Sequence, residues 1–242
     1  MGYLISRGCH MSIYLTGDTH GELSINRLSF GKWPEGKNLV DTDYLIIAGD
    51  FGLIFRPEQT SAEKYWLNWL NDRPWTTLIV DGNHDNHIKL QELPREEKFG
   101  GIVGKIANSI YHLRRGEIYL IEGKKVLTFG GADSIDKENR LDGITWWKEE
   151  IPNYAEMDNC IENMKKHQEK VDIIVAHTCP LFLAQMLAAK QGFYSTRNAD
   201  PTTKMLEHIV KTCAFEDFYC GHWHIDEDHG KYHFVYERIL KI

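Results

Sequence analysis

Short apolar runs that each end in a glycine or polar residue recur along this chain and constrain its fold most. Three of them, at residues 44–48, 77–80 and 172–176, are almost continuously aliphatic. Runs of this kind are typical of strands in a sheet that is covered on both faces. The other runs lie at residues 13–16, 118–121, 125–129, 218–220 and 233–236.

Helical patterns separate these predicted strands. Apolar residues recur at helical spacing over residues 61–72, which Pro74 terminates, and over residues 153–169. Pro201 is suited to the first turn of a third helix that reaches about Lys211. Alternating strands and helices predict an α/β fold.

Neither a linker nor an internal repeat divides the 242 residues, so one domain over residues 1–242 is expected. Residues 1–10 precede the first predicted strand and are expected to be an upstream extension.

The five cysteines show no paired spacing, which is typical of reduced thiols. With no signal-peptide pattern and no apolar run that could span a bilayer, a soluble cytoplasmic protein is expected. The net charge of −7 disfavours a protein that wraps long nucleic acid.

Five groups of potential metal ligands follow predicted strands, at the edge where open α/β sheets bind ligands. They are Asp18-Thr19-His20, Gly49-Asp50, Gly82-Asn83-His84-Asp85, Ala176-His177 and Gly221-His222-Trp223-His224. Carboxylate oxygens, an amide oxygen and imidazoles suit Mn²⁺, Fe, Zn²⁺ or Co²⁺, whereas an all-oxygen shell would favour Mg²⁺ or Ca²⁺. Each Asp-x-His or His-x-His pair would point to one side of an extended segment. One group alone is weak support, but five in this order predict a metal site.

Together these groups resemble the calcineurin-like metallophosphoesterase superfamily, in particular its small bacterial or phage-borne members. The superfamily pattern runs Asp-x-His, Gly-Asp, Gly-Asn-His-Asp/Glu, His and Gly-His-x-His, and here it spans residues 18–224. The resemblance implies a four-layer α/β/β/α sandwich of two mixed β-sheets. It also implies two divalent metal ions, with Mn²⁺ expected first and Fe, Zn²⁺, Co²⁺ or Ni²⁺ as alternatives. The implied ligands are Asp18, His20, Asp50 and His224 for one ion, and Asp50, Asn83, His177 and His222 for the other.

The reaction implied by the resemblance is hydrolysis of a phosphomonoester or phosphodiester, with nucleotide-like esters among the candidate substrates. The cation pair would activate a bridging hydroxide as the nucleophile. His84 would assist the leaving group, and Asp85 would orient its imidazole. Two alternatives stay open: a non-catalytic binding or scaffold protein on the same fold, and a nuclease acting on short oligonucleotides. The chain keeps every ligand and His84, which disfavours the scaffold.

One segment departs from the Ser/Thr protein phosphatases of the superfamily. Those enzymes carry an Asp-Arg pair shortly after Gly-Asp, whereas residues 51–55 are Phe-Gly-Leu-Ile-Phe here. Phosphoprotein phosphatase activity is therefore disfavoured. Arg56 either replaces the missing arginine from a shifted position or is a surface residue.

A long polar segment, residues 130–147, follows the strand that ends at Phe129. Long irregular segments in compact domains are usually functional. We expect Arg140 to contact a phosphate oxygen and Trp146 or Trp147 to stack on an aromatic part of the substrate. The alternatives are an ion pair between Arg140 and a surface carboxylate, and packing of both tryptophans in the core or at its rim.

Overall fold

The computed structural model describes residues 12–190 and 200–242, so the predicted extension at residues 1–10 lies outside the described residues. The strands of the described part form two sheets. The first sheet contains β1 (Ile13–Thr16), β2 (Tyr44–Ala48), β3 (Thr76–Val80), β4 (Arg95–Lys98), β5 (Gly101–Lys105), β6 (Ile110–Leu113) and β13 (Leu240–Lys241). The second contains β7 (Ile118–Ile121), β8 (Lys124–Phe129), β9 (Ile173–Ala176), β10 (Asp217–Cys220), β11 (Glu227–His229) and β12 (Tyr232–Phe234).

Both sheets are mixed, with a parallel centre and antiparallel edges. The order in the first sheet is β13-β1-β2-β3-β6-β5-β4, and β1, β2, β3 and β6 run parallel. The order in the second is β11-β12-β10-β9-β8-β7, and β8, β9, β10 and β12 run parallel. The parallel strands therefore present their carboxyl ends along one edge of each sheet.

The five α-helices within the described residues cover the outer faces of the two sheets. They are α1 (Ser61–Asn71), α2 (His87–Glu92), α3 (Tyr154–Lys166), α4 (Leu181–Lys190) and α5 (Pro201–Thr212). Thr60 and Glu63 form a capping box at the start of α1, and Asn153 and Glu156 form one at α3. The predicted helices at residues 61–72, 153–169 and 201–211 are confirmed to within a few residues.

Three apolar clusters define the four layers. One cluster joins the facing sides of the sheets, with Leu15 and Leu78 from the first and Val126 and Val175 from the second. Another packs α1, α2 and the segment around Trp33 against the outer face of the first sheet. The last packs α3, α4 and α5 against the outer face of the second. The expected α/β/β/α sandwich is confirmed.

Five strands, β4, β5, β6, β11 and β13, and two helices, α2 and α4, were not predicted from the sequence. Strands β4, β5, β11 and β13 are short, and they carry charged residues or glycines, so they lack an apolar period. Helix α4 buries Leu183, Ala184, Leu187 and Ala188, but its exposed face is also largely apolar, so the sequence shows no amphipathic pattern. The final run, predicted at residues 233–236, begins one residue earlier and ends at Phe234.

Candidate metal centre

Four of the predicted ligands form one cluster at the carboxyl ends of β1, β2 and β10. Asp18, His20, Asp50 and His224 each offer a ligand atom, and these atoms all lie within 4.8 Å of one another. Nε2 of His224 is 3.1 Å from Oδ2 of Asp18 and 3.1 Å from Nε2 of His20. Nε2 of His20 is 3.8 Å from Oδ2 of Asp50.

The remaining three predicted ligands lie beside this cluster, next to the other oxygen of Asp50. Oδ1 of Asn83 is 3.0 Å from Nε2 of His177 and 3.0 Å from Nδ1 of His222. Nε2 of His177 is 3.3 Å from Oδ1 of Asp50. The structure thus brings all seven predicted ligands together, and Asp50 directs one carboxylate oxygen to each group.

The hydrogen bonds around the second group leave lone pairs that suit a cation. Nδ1 of His177 lies 3.1 Å from the carbonyl oxygen of Ala48, so in the neutral ring the proton lies on Nδ1 and Nε2 offers its lone pair. The amide nitrogen of Asn83 donates to Oγ of Ser134 at 3.0 Å, which turns the amide oxygen toward the histidines. The donor set therefore fits divalent ions that accept both nitrogen and oxygen.

The ligand-bearing turns are not extended, which corrects one assumption made from the sequence. His20, His222 and His224 have φ angles of 45°, 66° and 51°, in the left-handed region that non-glycine residues rarely adopt. Asp50 has a φ of 46°. Residue pairs two apart therefore converge because the chain turns sharply, and not because strand side chains alternate. Such conformations cost about 1–3 kcal/mol each and cluster at functional sites.

Two glycines before the ligands are required by close packing. A Cβ atom at Gly49 would collide with the imidazole of His177, and a Cβ atom at Gly221 would collide with the carboxylate of Asp18. Gly49 also has a φ of 95°. His177 and Asp18 therefore occupy the space that a side chain at Gly49 or Gly221 would need.

Burial and charge act in opposite directions on Asp50. Burial by itself would raise the pKa of its carboxyl group, but the imidazoles of His177, His84 and His20 outweigh burial and hold the pKa below its ordinary value. The backbone N–H of His84 adds to this effect by donating to Oδ1 at 2.7 Å. Asp50 is therefore held ionised, as a carboxylate shared between two cations requires.

His84 and Arg140 meet at the mouth of the centre. Nη2 of Arg140 donates to Nε2 of His84 at 2.8 Å and is also 2.8 Å from Oδ1 of Asp136. Burial, with the Arg140 charge, lowers the pKa of His84, although Asp50 opposes this shift. Both residues line a cleft of about 350 Å³ together with Asp50, Asn83, His222 and His224. The alternative for Arg140 was an ion pair with a surface carboxylate. That ion pair exists, with Asp136, but Arg140 also contacts His84.

Asp85 does not take the position predicted for it. Its carboxylate accepts backbone N–H groups from Gly82 at 2.8 Å, Gly52 at 2.9 Å and Phe51 at 3.3 Å, while the imidazole of His84 is bonded to Arg140. Burial and the nearby Asp50 raise the pKa of Asp85 to about 7. Asp85 ties the turn after β2 to the turn after β3 and does not orient His84. The sequence motif could not distinguish these roles, because both place an aspartate after the histidine.

The tryptophans of the long segment also differ from the stacking hypothesis. Trp147 is buried, and its ring meets that of Phe55 edge-on, with centroids 5.4 Å apart. Trp146 is half-buried and lies beside the carboxyl group of Glu150. The tryptophan that lines the cleft with Arg140 is Trp223. Trp147 therefore packs in the core, as the alternative to substrate stacking predicted. Trp146 does not line this cleft.

Two buried polar networks that support the centre were missed. Oγ of Ser134 donates to Oε2 of Glu150 at 2.6 Å and accepts from Asn83, so the long segment holds a ligand residue. Arg115 donates to Oδ2 of Asp81 through Nη2 at 2.6 Å and to the carbonyl oxygen of Glu150 at 3.2 Å. These residues lie far apart in the chain, and none stands in a recognisable motif.

Comparison with known proteins agrees with this geometry. Residues 11–226 match the family model described as calcineurin-like phosphoesterase. The chain is also 27% identical over 158 residues to the lariat debranching enzyme of Schizosaccharomyces pombe, an alignment that covers 59% of this chain. The matched part covers only 33% of the length of that enzyme. With the ligand motifs at the predicted sheet edges and a family match over most of its length, the chain belongs to the calcineurin-like phosphoesterase family.

Proposed function

We propose that this protein is a dinuclear metal-dependent phosphoesterase that hydrolyses a phosphomonoester or phosphodiester. The observation that carries the proposal is the position of Asp50 between two groups of ligand atoms. One of its oxygens faces His20 and the other faces His177. Two bound divalent ions would supply positive charge for the phosphoryl oxygens and lower the pKa of a water molecule. Mn²⁺ is the ion proposed first, as the family resemblance implies, and the mixed nitrogen and oxygen donor set is compatible with it as with Fe, Zn²⁺ or Co²⁺.

The roles proposed for Arg140 and His84 follow from their shared hydrogen bond. Because Arg140 donates to Nε2 of His84, this nitrogen carries no proton while the bond exists. A phosphoryl group in the cleft would compete for the guanidinium, whose planar donors suit phosphate oxygens. His84 would then be free to hold a proton for the leaving oxygen. Arg140 is thus proposed to bind phosphate, and His84 to assist departure of the alcohol.

The proposal is tested with nitrophenyl phosphate and bis(nitrophenyl) phosphate after Mn²⁺ loading, with a chelator-treated sample as control. We expect hydrolysis of at least one ester and its loss on chelation. Asp50→Asn should lower the bound metal from two equivalents per chain and abolish turnover, because the variant loses the shared negative charge. Two equivalents of bound metal without hydrolysis of either ester would favour the scaffold alternative. Unchanged metal content in Asp50→Asn would refute the bridging role.

The surface charge favours a small or locally presented ester over long nucleic acid. The chain carries a formal net charge of −7, and binding of long nucleic acid depends on neutralising many phosphates. A nuclease acting on short oligonucleotides remains the second candidate, since a short strand needs few such contacts. Steady-state hydrolysis of a dinucleotide and of a long single strand, compared at low and moderate salt, separates the two cases.

A further inference from the structure

A second cleft of about 410 Å³ adjoins the candidate centre on the far side of His84. His84 lines both this cleft and the one that holds Arg140. The second cleft is bounded further by His20, Leu23, Leu53, Phe55, Arg56 and Ala62. It is called the side cleft below. Its size is within the range of cavities that bind small organic groups.

The exposed wall of the side cleft is mainly apolar, although polar and charged residues also line it, among them Glu22 and Glu63. Glu63 is buried and its carboxylate faces the backbone, accepting N–H groups from Phe55 and Arg56 at 3.0 Å each and from Thr60 at 2.7 Å. Its charge is therefore satisfied within the loop. Leu23 is 78% exposed and lies at the side cleft, where it offers apolar surface to a ligand.

Three planar groups lie along the side cleft. The ring of Phe55 is tilted by 35° against the imidazole of His84, with centroids 6.3 Å apart. The guanidinium carbon of Arg56 lies 5.4 Å from the centroid of Phe55. Aromatic rings stack favourably on such groups, through ring–ring contacts and through cation–π contacts. A planar ring would therefore be held better here than a flexible aliphatic chain.

We infer that the side cleft binds an aromatic organic group, such as an aryl ring or a nucleobase, on the leaving oxygen of the substrate. This inference rests on the proposed function. With the phosphoryl group beside Arg140, the leaving oxygen would lie near His84, at the boundary of the two clefts. Water supplies the new bond to phosphorus, the bond from phosphorus to the organic oxygen breaks, and that oxygen takes up a proton. The substrate class is thus a phosphate ester of an aromatic or nucleoside-like alcohol.

The inference is tested by blocking the side cleft from helix α1. Ala62→Trp should fill the side cleft, and Lys64→Trp, on the exposed part of the same turn, is the matched control. Ala62→Trp should raise KM for phenyl phosphate at least about tenfold and leave KM for ethyl phosphate unchanged, since a hydrophobic contact discriminates by roughly 10–200-fold. Lys64→Trp should change neither value.

A milder pair of variants guards against a folding defect in Ala62→Trp. Leu23→Ser removes the exposed leucine of the side cleft, and Leu120→Ser removes one that is 57% exposed on β7. Only Leu23→Ser should weaken phenyl phosphate hydrolysis relative to ethyl phosphate. Equal effects of Leu23→Ser and Leu120→Ser on the two esters, or a KM for phenyl phosphate that Ala62→Trp leaves unchanged, would overturn the inference.

Binding to metal-free protein separates this inference from the proposed function. Saturation-transfer NMR with phenyl phosphate and chelator should show transfer to the ring protons in the wild type and Lys64→Trp, but not in Ala62→Trp. If neither ester is hydrolysed while this pattern holds, the proposed function fails and the side cleft remains a ring-binding site. If hydrolysis occurs but ring transfer is the same in all three proteins, the side cleft inference fails alone.

Discussion

At the residue scale, the position of Asn83 depends on a serine that no motif contains. Ser134 accepts the amide N–H of Asn83 and donates to Glu150, which is fully buried and also accepts the backbone N–H of Ser134 at 2.8 Å. Because Oγ has a single proton, its donation to Glu150 leaves only its lone pairs to face Asn83. The amide therefore keeps its oxygen toward His177 and His222.

Ser134→Ala should weaken metal binding, because the Asn83 amide loses the partner that fixes its orientation. Loss of such a supporting hydrogen bond typically lowers metal affinity about 10–100-fold. Calorimetric titration with Mn²⁺ should show one of two sites weakened. Lys137→Ala, a change on the same segment that removes only an ion pair with Asp133, is the control and should titrate like the wild type. Two sites of unchanged affinity in Ser134→Ala would contradict this prediction.

Two substitutions of Arg140 distinguish the role of its planar donors from the role of its charge. Arg140→Lys keeps the charge but loses the planar pair of donors, so kcat/KM should fall nearly as far as in Arg140→Ala, by about tenfold or more. The metal content of both variants should stay at the wild-type value, because Arg140 contacts His84 and Asp136 and no ligand side chain. Full activity of Arg140→Ala would eliminate the phosphate contact.

At the scale of elements, a buried charged cluster joins β3, β6 and α2. Asp81 is bonded to Arg115 and lies 3.1 Å from Nε2 of His112 and 3.6 Å from Nδ1 of His87. Burial lowers the pKa of His87 to about 3, and the Arg115 charge acts in the same direction. Burial by itself would raise the pKa of Asp81, but Arg115 and His112 outweigh burial and lower that pKa.

The free energy of unfolding should therefore decrease as the pH falls from about 6.5 toward 3. In this window the unfolded chain protonates His87, whose ordinary pKa is about 6.5, while the folded protein does not. One such proton contributes a slope of up to about 1.4 kcal/mol per pH unit. His87→Gln should remove that part of the slope in urea unfolding with chelator present. An identical slope in the variant would show that His87 titrates normally.

At the scale of the whole molecule, the candidate centre joins the two sheets. Asp18, Asp50 and Asn83 follow β1, β2 and β3 of the first sheet, while His177 and His222 follow β9 and β10 of the second. If these residues hold the proposed metal ions, the ions can bind only when the two sheets are packed together. Metal binding would then be linked to folding of the entire sandwich.

Saturating Mn²⁺ should accordingly raise the free energy of unfolding, by about 2.7 kcal/mol when the free ion is at 100 times its Kd. The thermal unfolding temperature, measured with and without chelator, checks this. Asp50→Asn should show little of the increase, whereas Lys137→Ala should show all of it. An equal increase in Asp50→Asn would mean that the ion stabilises the protein from another place.

No helix within residues 12–190 and 200–242 combines the length and apolar character needed to cross a bilayer.

The four cysteines in this part of the chain, Cys160, Cys179, Cys213 and Cys220, are buried free thiols, as the scattered spacing predicted. Burial raises the pKa of Cys160 to about 12, which keeps its thiol protonated at neutral pH.

Seven of the eight parallel strands, three helices and the seven potential ligands could be predicted from the amino-acid sequence, whereas strand β6 could not. Apolar runs and amphipathic periods are local properties, and ligand residue types at strand ends are visible in one dimension. The family pattern then indicated how those ligands divide between two ions, and the distances around Asp50 agree with that division.

The surroundings of those ligands, in contrast, are visible only in the folded chain. The role of Asp85, the burial of Trp147 and the bond from Ser134 to Asn83 each depend on segments that are 34 to 92 residues apart along the chain or meet only in the folded core. The left-handed turns at His20, His222 and His224 likewise have no local signal, because these residues adopt that conformation only where neighbouring strands impose it. These contacts join distant segments through three-dimensional packing, and no motif in the sequence indicates that these particular groups meet.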